Sequence, residues 1–122
     1  MFEITIKSDF AAAHRLNNYQ GACENLHGHN FIVEVSVTCN KLDESYIAID
    51  FKELKRIVKE IVGKLDHTYL NDHDYFKNTN PTSEMIAKYI YENLKGNLNE
   101  NCKPKSVSVY ETENSKATYF EE

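Results

Sequence analysis

Apolar residues in this chain repeat at two periods, and the order in which the periods follow one another limits the fold. At the start, Phe2, Ile4 and Ile6 share one parity and Glu3, Thr5 and Lys7 the other, the pattern of a half-buried strand over residues 2 to 10. Phe31, Val33, Val35 and Val37 alternate with Glu34, Ser36 and Thr38 in a second strand that runs to Cys39. The period then lengthens. Phe51, Leu54, Ile57, Val58, Ile61, Val62 and Leu65 recur at helical spacing. Asp50 stands ready to cap that helix, with Glu53 three positions on in the arrangement of a capping box. A second helix is expected from near Asn80-Pro81, with Met85, Ile86, Tyr89, Ile90 and Leu94 as its apolar stripe and Gly96 as its stop. Alternation returns at Val107 and Val109, and after the turn formers "TENSK" a short last strand is expected from Ala117 to Phe120. "RLNNYQGACENL", "DHTYLNDHDYFKNTN" and "NLNENCKPK" read as connections.

The order strand, strand, helix, helix, strand, strand predicts an α+β domain, a four-stranded antiparallel sheet covered on one face by two helices. Such a sheet has open edges, which proteins often close by pairing with another subunit. The 122 residues are expected to form one domain over 1–122, without internal repeats. With 41% hydrophobic and 27% charged residues, the composition is that of a soluble globular chain. The net charge of -5 and the lack of clustered Lys and Arg argue against nucleic-acid binding. No apolar run approaches the roughly 18 residues of a membrane span. "MFEITIKSDF" reads as a strand and not as a signal peptide, so a cytoplasmic location is expected. Three widely spaced cysteines make no disulfide framework, and reduced thiols are expected.

The chemistry concentrates in "CENLHGHN", residues 23–30. On an extended segment His27 and His29 share a face, and they share the parity of Phe31 and Val33. Gly28 between them leaves room for another backbone or a ligand. His14 follows Ala11, Ala12 and Ala13, and meets the other two histidines if the first two strands are neighbours. Three imidazoles with a fourth position open to water form a catalytic zinc arrangement, whereas Cys23 as a fourth ligand would close a structural site. An H-x-H pair also occurs on surfaces by chance. A loop thiol beside a dication or histidine has a lowered pKa and becomes a base or nucleophile, which is the reactive reading of Cys23. Cys39 and Cys102 read as inert thiols. Asp66 could orient His67 for proton transfer, although a helix-end histidine is also favoured by the dipole. Glu111 continues the parity of Val107 and Val109. If buried, it needs a partner such as the planar donor edge of a guanidine-like heterocycle; if the strand has ended, it is solvated. Thr82, Ser83 and Glu84 open the second helix, where capping explains them, and where they could also hold a polar ligand.

Together "FAAAHRL", "CENLHGHNF", "AIDFKELK", "LDHTYLN", "NPTSEMIAKYI" and "VSVYETENSKATY" resemble the 6-pyruvoyltetrahydropterin synthase / 6-carboxytetrahydropterin synthase family, in the family's order and over nearly the whole chain. The resemblance implies a tunnelling fold whose subunits join their sheets into a barrel, a homohexamer built as a dimer of trimers, and active sites at subunit interfaces. It implies that His14, His27 and His29 bind Zn2+, that Cys23 is the general base, and that His67, oriented by Asp66, relays protons with Glu111. Glu111 would also anchor a small-molecule pterin, with Thr82, Ser83 and Glu84 lining its pocket. The short spacing from Cys23 to the histidines resembles the carboxy-forming branch, which converts 7,8-dihydroneopterin triphosphate to 6-carboxy-5,6,7,8-tetrahydropterin for queuosine and other deazapurines. The longer spacing of the pyruvoyl-forming branch is absent. Glu24, beside Cys23, resembles a subgroup that places glutamate at the cysteine's position and forms 6-hydroxymethyl-7,8-dihydropterin for folate; it reads equally as a solvated loop residue. A binding protein with a closed zinc site is the non-enzymatic alternative. Lys7, Arg15 and Lys116 are the cations considered for the triphosphate.

Overall fold

The computed structural model describes residues 1–16 and 27–122, His27 by its backbone alone. Strand β1 (Phe2–His14) pairs antiparallel with β2 (His27–Cys39) in unbroken register, from Phe2↔Cys39 to His14↔His27. Helix α1 (Phe51–Gly63) follows, then a short strand β3 (Thr68–Tyr69), helix α2 (Ser83–Leu94), and strands β4 (Cys102–Thr112) and β5 (Ser115–Tyr119). The sheet order is β3-β1-β2-β4-β5. The expected strands are all present and pair antiparallel. The addition is β3, which runs parallel to β1 at Ala12↔Thr68 and Ala13↔Tyr69 and makes the sheet mixed. The segment read as a bare connection therefore carries a strand, and it also carries two 3-10 turns, Leu70–Asp72 and Asp74–Phe76. Leu70 and Phe76 hold those turns down by complete burial. A two-residue strand and isolated apolar anchors have no period for a sequence pattern to reveal.

The alternation seen in the sequence is the division between two faces. Ile6, Phe10, Ala12 and His14 of β1 and Phe31, Val33, Val35 and Val37 of β2 are buried with Leu54, Val58 and Val62 of α1 and Ile86, Ile90 and Leu94 of α2. Each buried Val, Leu, Ile or Phe side chain among them contributes about 1.5–3 kcal/mol by leaving water. A one-residue slip would turn the whole set outward, so the core fixes the register that positions the site. The opposite face is polar at its centre, with hydroxyl pairs Thr5–Ser36 at 2.7 Å and Ser108–Thr118 at 2.6 Å. Among the described residues no helix is long and apolar enough to cross a membrane.

Three local expectations are corrected. Asp50 caps α1 by accepting from the Lys52 N–H at 2.8 Å, but Glu53 does not complete a capping box. Its carboxylate pairs with the Arg56 guanidinium at 2.6 and 3.0 Å, which also reaches Glu60 at 2.9 Å and holds the Glu53 carboxyl below its usual range. A two-pronged charged donor on the same helix face outcompetes one backbone N–H. Helix α2 starts at Ser83, after Asn80-Pro81, because Thr82 takes the cap and accepts from Met85 N–H at 3.1 Å. Cys39 and Cys102 are not separate inert thiols: they face each other across the β2/β4 ladder, with Cα atoms 4.3 Å apart, and are joined as a disulfide.

Candidate active site

Three strands end at the same place. The antiparallel register sets Ala12 opposite His29 and His14 opposite His27, so the end of β1 lies against the start of β2. Parity turns His14 and His29 toward the helix-covered side, and their rings meet edge to face with centroids 5.4 Å apart. The Phe31 ring packs against both, at 5.3 and 5.7 Å. His14 is completely buried. Its Nδ1 lies 2.8 Å from the Pro81 carbonyl oxygen, just before α2. A carbonyl only accepts, so Nδ1 carries a proton and Nε2 is the atom turned toward the site.

The third strand brings Glu111. Between Tyr110↔Lys116 and Thr112↔Ser115 the β4/β5 register shifts, which makes Glu111 the extra residue of a β-bulge. Bulges re-aim side chains near strand ends. Glu111 keeps the core-facing parity of Val109, and its carboxylate Oε1 stands 3.4 Å from His14 Nε2, with the side chain 27% exposed. Glu111 thus lies within the strand, on the side its parity predicts, and is only partly solvated. Ligand-type atoms of His14, His29 and Glu111 all lie within 4.8 Å of one another. A neutral imidazole and a carboxylate are both acceptors; at this distance they repel unless a proton or a cation lies between them. A set of two nitrogens and one oxygen fits zinc, and the Pro81 carbonyl behind His14 is the kind of outer contact that fixes a ligating imidazole's tautomer. Glu111 appears in this cluster beside its expected substrate role. Sequence parity gave its direction, but the bulge that brings it to His14 left no sequence signal.

The remaining expected residues divide. Cys23, Glu24 and the His27 side chain lie outside the described residues. Asp66 Oδ1 accepts from Ala11 N–H at 2.9 Å, and His67 Nε2 is 3.6 Å from that same oxygen, in contact but beyond a hydrogen bond. The His67 ring is 83% exposed, and neither residue belongs to the His14–His29–Glu111 group. His67 lines an open cavity of about 550 Å³ that His29 also lines, with Ala11, Ala13, Gly28, Asn30 and Tyr69. At Gly28 no described residue stands within 4 Å of where a Cβ would be, so the close approach expected there is not made among the described residues. Thr82 spends its hydroxyl on the α2 cap, yet it follows Pro81, so the α2 start abuts His14. Lys7 and Lys116 flank the Tyr110 ring at 5.9 and 5.6 Å on the sheet's other face, apart from the cluster.

Fold and site define an α+β tunnelling-fold protein with an imidazole–carboxylate cluster where β1, β2 and β4 converge. Residues 3–122 match the family described as 6-pyruvoyl tetrahydropterin synthase. The chain is 38% identical to the 6-carboxy-5,6,7,8-tetrahydropterin synthase of Bacillus subtilis, over 97% of this chain and 84% of that one. It is 39% identical to the protein of the same name from Synechocystis, over 98% of this chain and 94% of the relative. The solved 6-pyruvoyl tetrahydropterin synthase of Caenorhabditis elegans superposes with a TM-score of 0.82 at 28% identity, covering 100% of this chain and 98% of that one. The chain belongs to the 6-pyruvoyl tetrahydropterin synthase family of enzymes.

Proposed function

We propose that this chain is a zinc-dependent lyase that converts 7,8-dihydroneopterin triphosphate and one water to 6-carboxy-5,6,7,8-tetrahydropterin, releasing acetaldehyde and triphosphate, on the way to queuosine and other deazapurines. The observation that carries the reading is the approach of His14 Nε2 and Glu111 Oε1 to 3.4 Å beside His29, in a chain whose bacterial relatives bear that enzyme's name. His14 and His29, with His27 by its place in the H-x-H run, would hold the ion. Zinc bound there supplies Lewis-acid polarisation of the substrate's side-chain oxygens. The chain's own residues do the rest. Pro81 holds the His14 proton on Nδ1. The carboxylate of Glu111, partly exposed at the mouth, accepts from the 2-amino and ring N–H edge of the pterin and so orients it. Cys23, as thiolate, takes the proton from the side-chain carbon. Thr82, Ser83 and Glu84, which follow Pro81 in the chain, would line the ring's pocket.

His67 stands exposed at the β1/β3 edge and is not a member of the His14–His29–Glu111 group of its own chain. We therefore assign its proton relay to a site completed by a second subunit. The open sheet edges at β3 and β5 support the same reading, with a hexamer formed by two trimers as the assembly. Incubating the zinc-loaded protein with 7,8-dihydroneopterin triphosphate and identifying products by mass spectrometry tests the activity. The expected products are 6-carboxy-5,6,7,8-tetrahydropterin and acetaldehyde. Formation of 6-pyruvoyl- or 6-hydroxymethylpterin alone, or no turnover, would overturn the assignment.

A further inference from the structure

The last residues of β1 carry His14, and segment 66–71 fastens their outer edge. Ala11 is held at both of its backbone polar groups. Its N–H donates to the Asp66 carboxylate at 2.9 Å, and its carbonyl accepts from the His67 N–H at 2.6 Å. To hold that bond His67 adopts a left-handed φ of 57°. Ala12 and Ala13 pair with Thr68 and Tyr69. The backbone then turns away into the Leu70–Asp72 3-10 turn, and strand pairing by main chain stops. Arg15 is nevertheless held at both groups: its N–H donates to Asn71 Oδ1 at 2.8 Å, and its carbonyl accepts from Asn71 Nδ2 at 2.7 Å. A carboxamide offers one acceptor and one donor in a plane, as a peptide unit does, so Asn71 stands in for the missing strand residue. Its own place is set by Leu70, fully buried beside it in the sequence.

We infer that Asn71 is a positioning residue for the His14 imidazole. His14 lies between two fixed backbone points, Ala13 on β3 and Arg15 on Asn71, while Pro81 holds its ring. Among the described residues no other hydrogen bond ties the Arg15 backbone, and a loosened Arg15 lets the His14 Cα swing against a ring fixed at Pro81. The inference rests on the reading that His14 ligates zinc. Loss of an outer contact that orients a ligand typically weakens metal affinity by about 10- to 100-fold.

The test compares Asn71→Ala, Asn71→Asp and, as a control, Asn93→Ala, which removes a side-chain bond to the Tyr89 carbonyl within α2. Zinc affinity is measured by chelator competition, and exchange of the Arg15 amide by NMR. Asn71→Ala is expected to weaken zinc binding roughly tenfold and to speed Arg15 exchange. Asn71→Asp, which keeps the acceptor for the Arg15 N–H, gives a smaller loss, and Asn93→Ala leaves both readings at the parent value. Unchanged zinc affinity in Asn71→Ala, or an equal loss in Asn93→Ala, overturns the inference. Should Asn71→Ala fail to fold, unchanged affinity in Asn71→Asp overturns it instead. A parent protein that takes up no zinc defeats the metal reading separately; the clamp is then judged by the Arg15 amide, protected in the parent and fast in Asn71→Ala if it holds, equal in both if it does not.

Discussion

Both nitrogens of His14 have assigned directions, Nδ1 to the Pro81 carbonyl and Nε2 to Glu111, and this orientation suits the proposed role of the ring as a ligand. Glu111 separates the roles at this site. Glu111→Gln keeps the size but removes the charge that the pterin edge needs. A hydrogen bond to a charged group is worth about 1.5–3 kcal/mol, so kcat/KM should fall roughly 10- to 150-fold while zinc stays bound by the imidazoles. An unchanged kcat/KM would remove Glu111 from substrate recognition, and loss of zinc would make it chiefly a ligand. Cys23→Ala is expected to retain zinc and to abolish formation of the carboxytetrahydropterin; undiminished turnover would take the thiol out of the reaction. Sequence parity already turned His29 and Glu111 inward, and the pairing of the first two strands was expected to bring His14 to His29. The approach of Glu111 to them was not legible, because it depends on a bulge that no single residue announces.

At the level of elements, alternation and helical spacing located β1, β2, α1, α2, β4 and β5, since each buries a full face and burial imposes a period. Contacts lacking a period stayed hidden. β3 has two residues, and the Cys39–Cys102 pair joins positions 63 apart in sequence. At the α1 start the sequence pattern was ambiguous, because Glu53 has two available donors and only the structure shows that Arg56 takes it. Asp50→Ala should therefore cost about 1 kcal/mol, lowering the thermal midpoint by about 4 °C. Glu53→Gln, which breaks only an exposed ion pair, should lower it far less. Equal losses from the two substitutions, read by thermal denaturation, would restore the capping box.

For the whole molecule, the sheet leaves β3 and β5 at its edges, and the exposed His67 ring is not part of the His14–His29–Glu111 group of its own chain. If sites are shared between subunits, His14→Ala and His67→Ala chains are each inactive, and mixing them under conditions that exchange subunits restores a fraction of the activity. No recovery, with exchange demonstrated by mass spectrometry, would place the whole site within one chain. The period-based reading of the sequence reached the layer architecture but not the assembly, since edge strands show the same alternation whether they are paired or open. The central claim is that the imidazoles at the convergence of β1 and β2 hold a catalytic zinc with a vertex open to substrate. X-ray absorption at the zinc edge of the loaded protein tests it most directly. A shell of nitrogen and oxygen at about 2.0–2.1 Å is the predicted result, and sulfur at about 2.3 Å, or the absence of stoichiometric zinc, would contradict it.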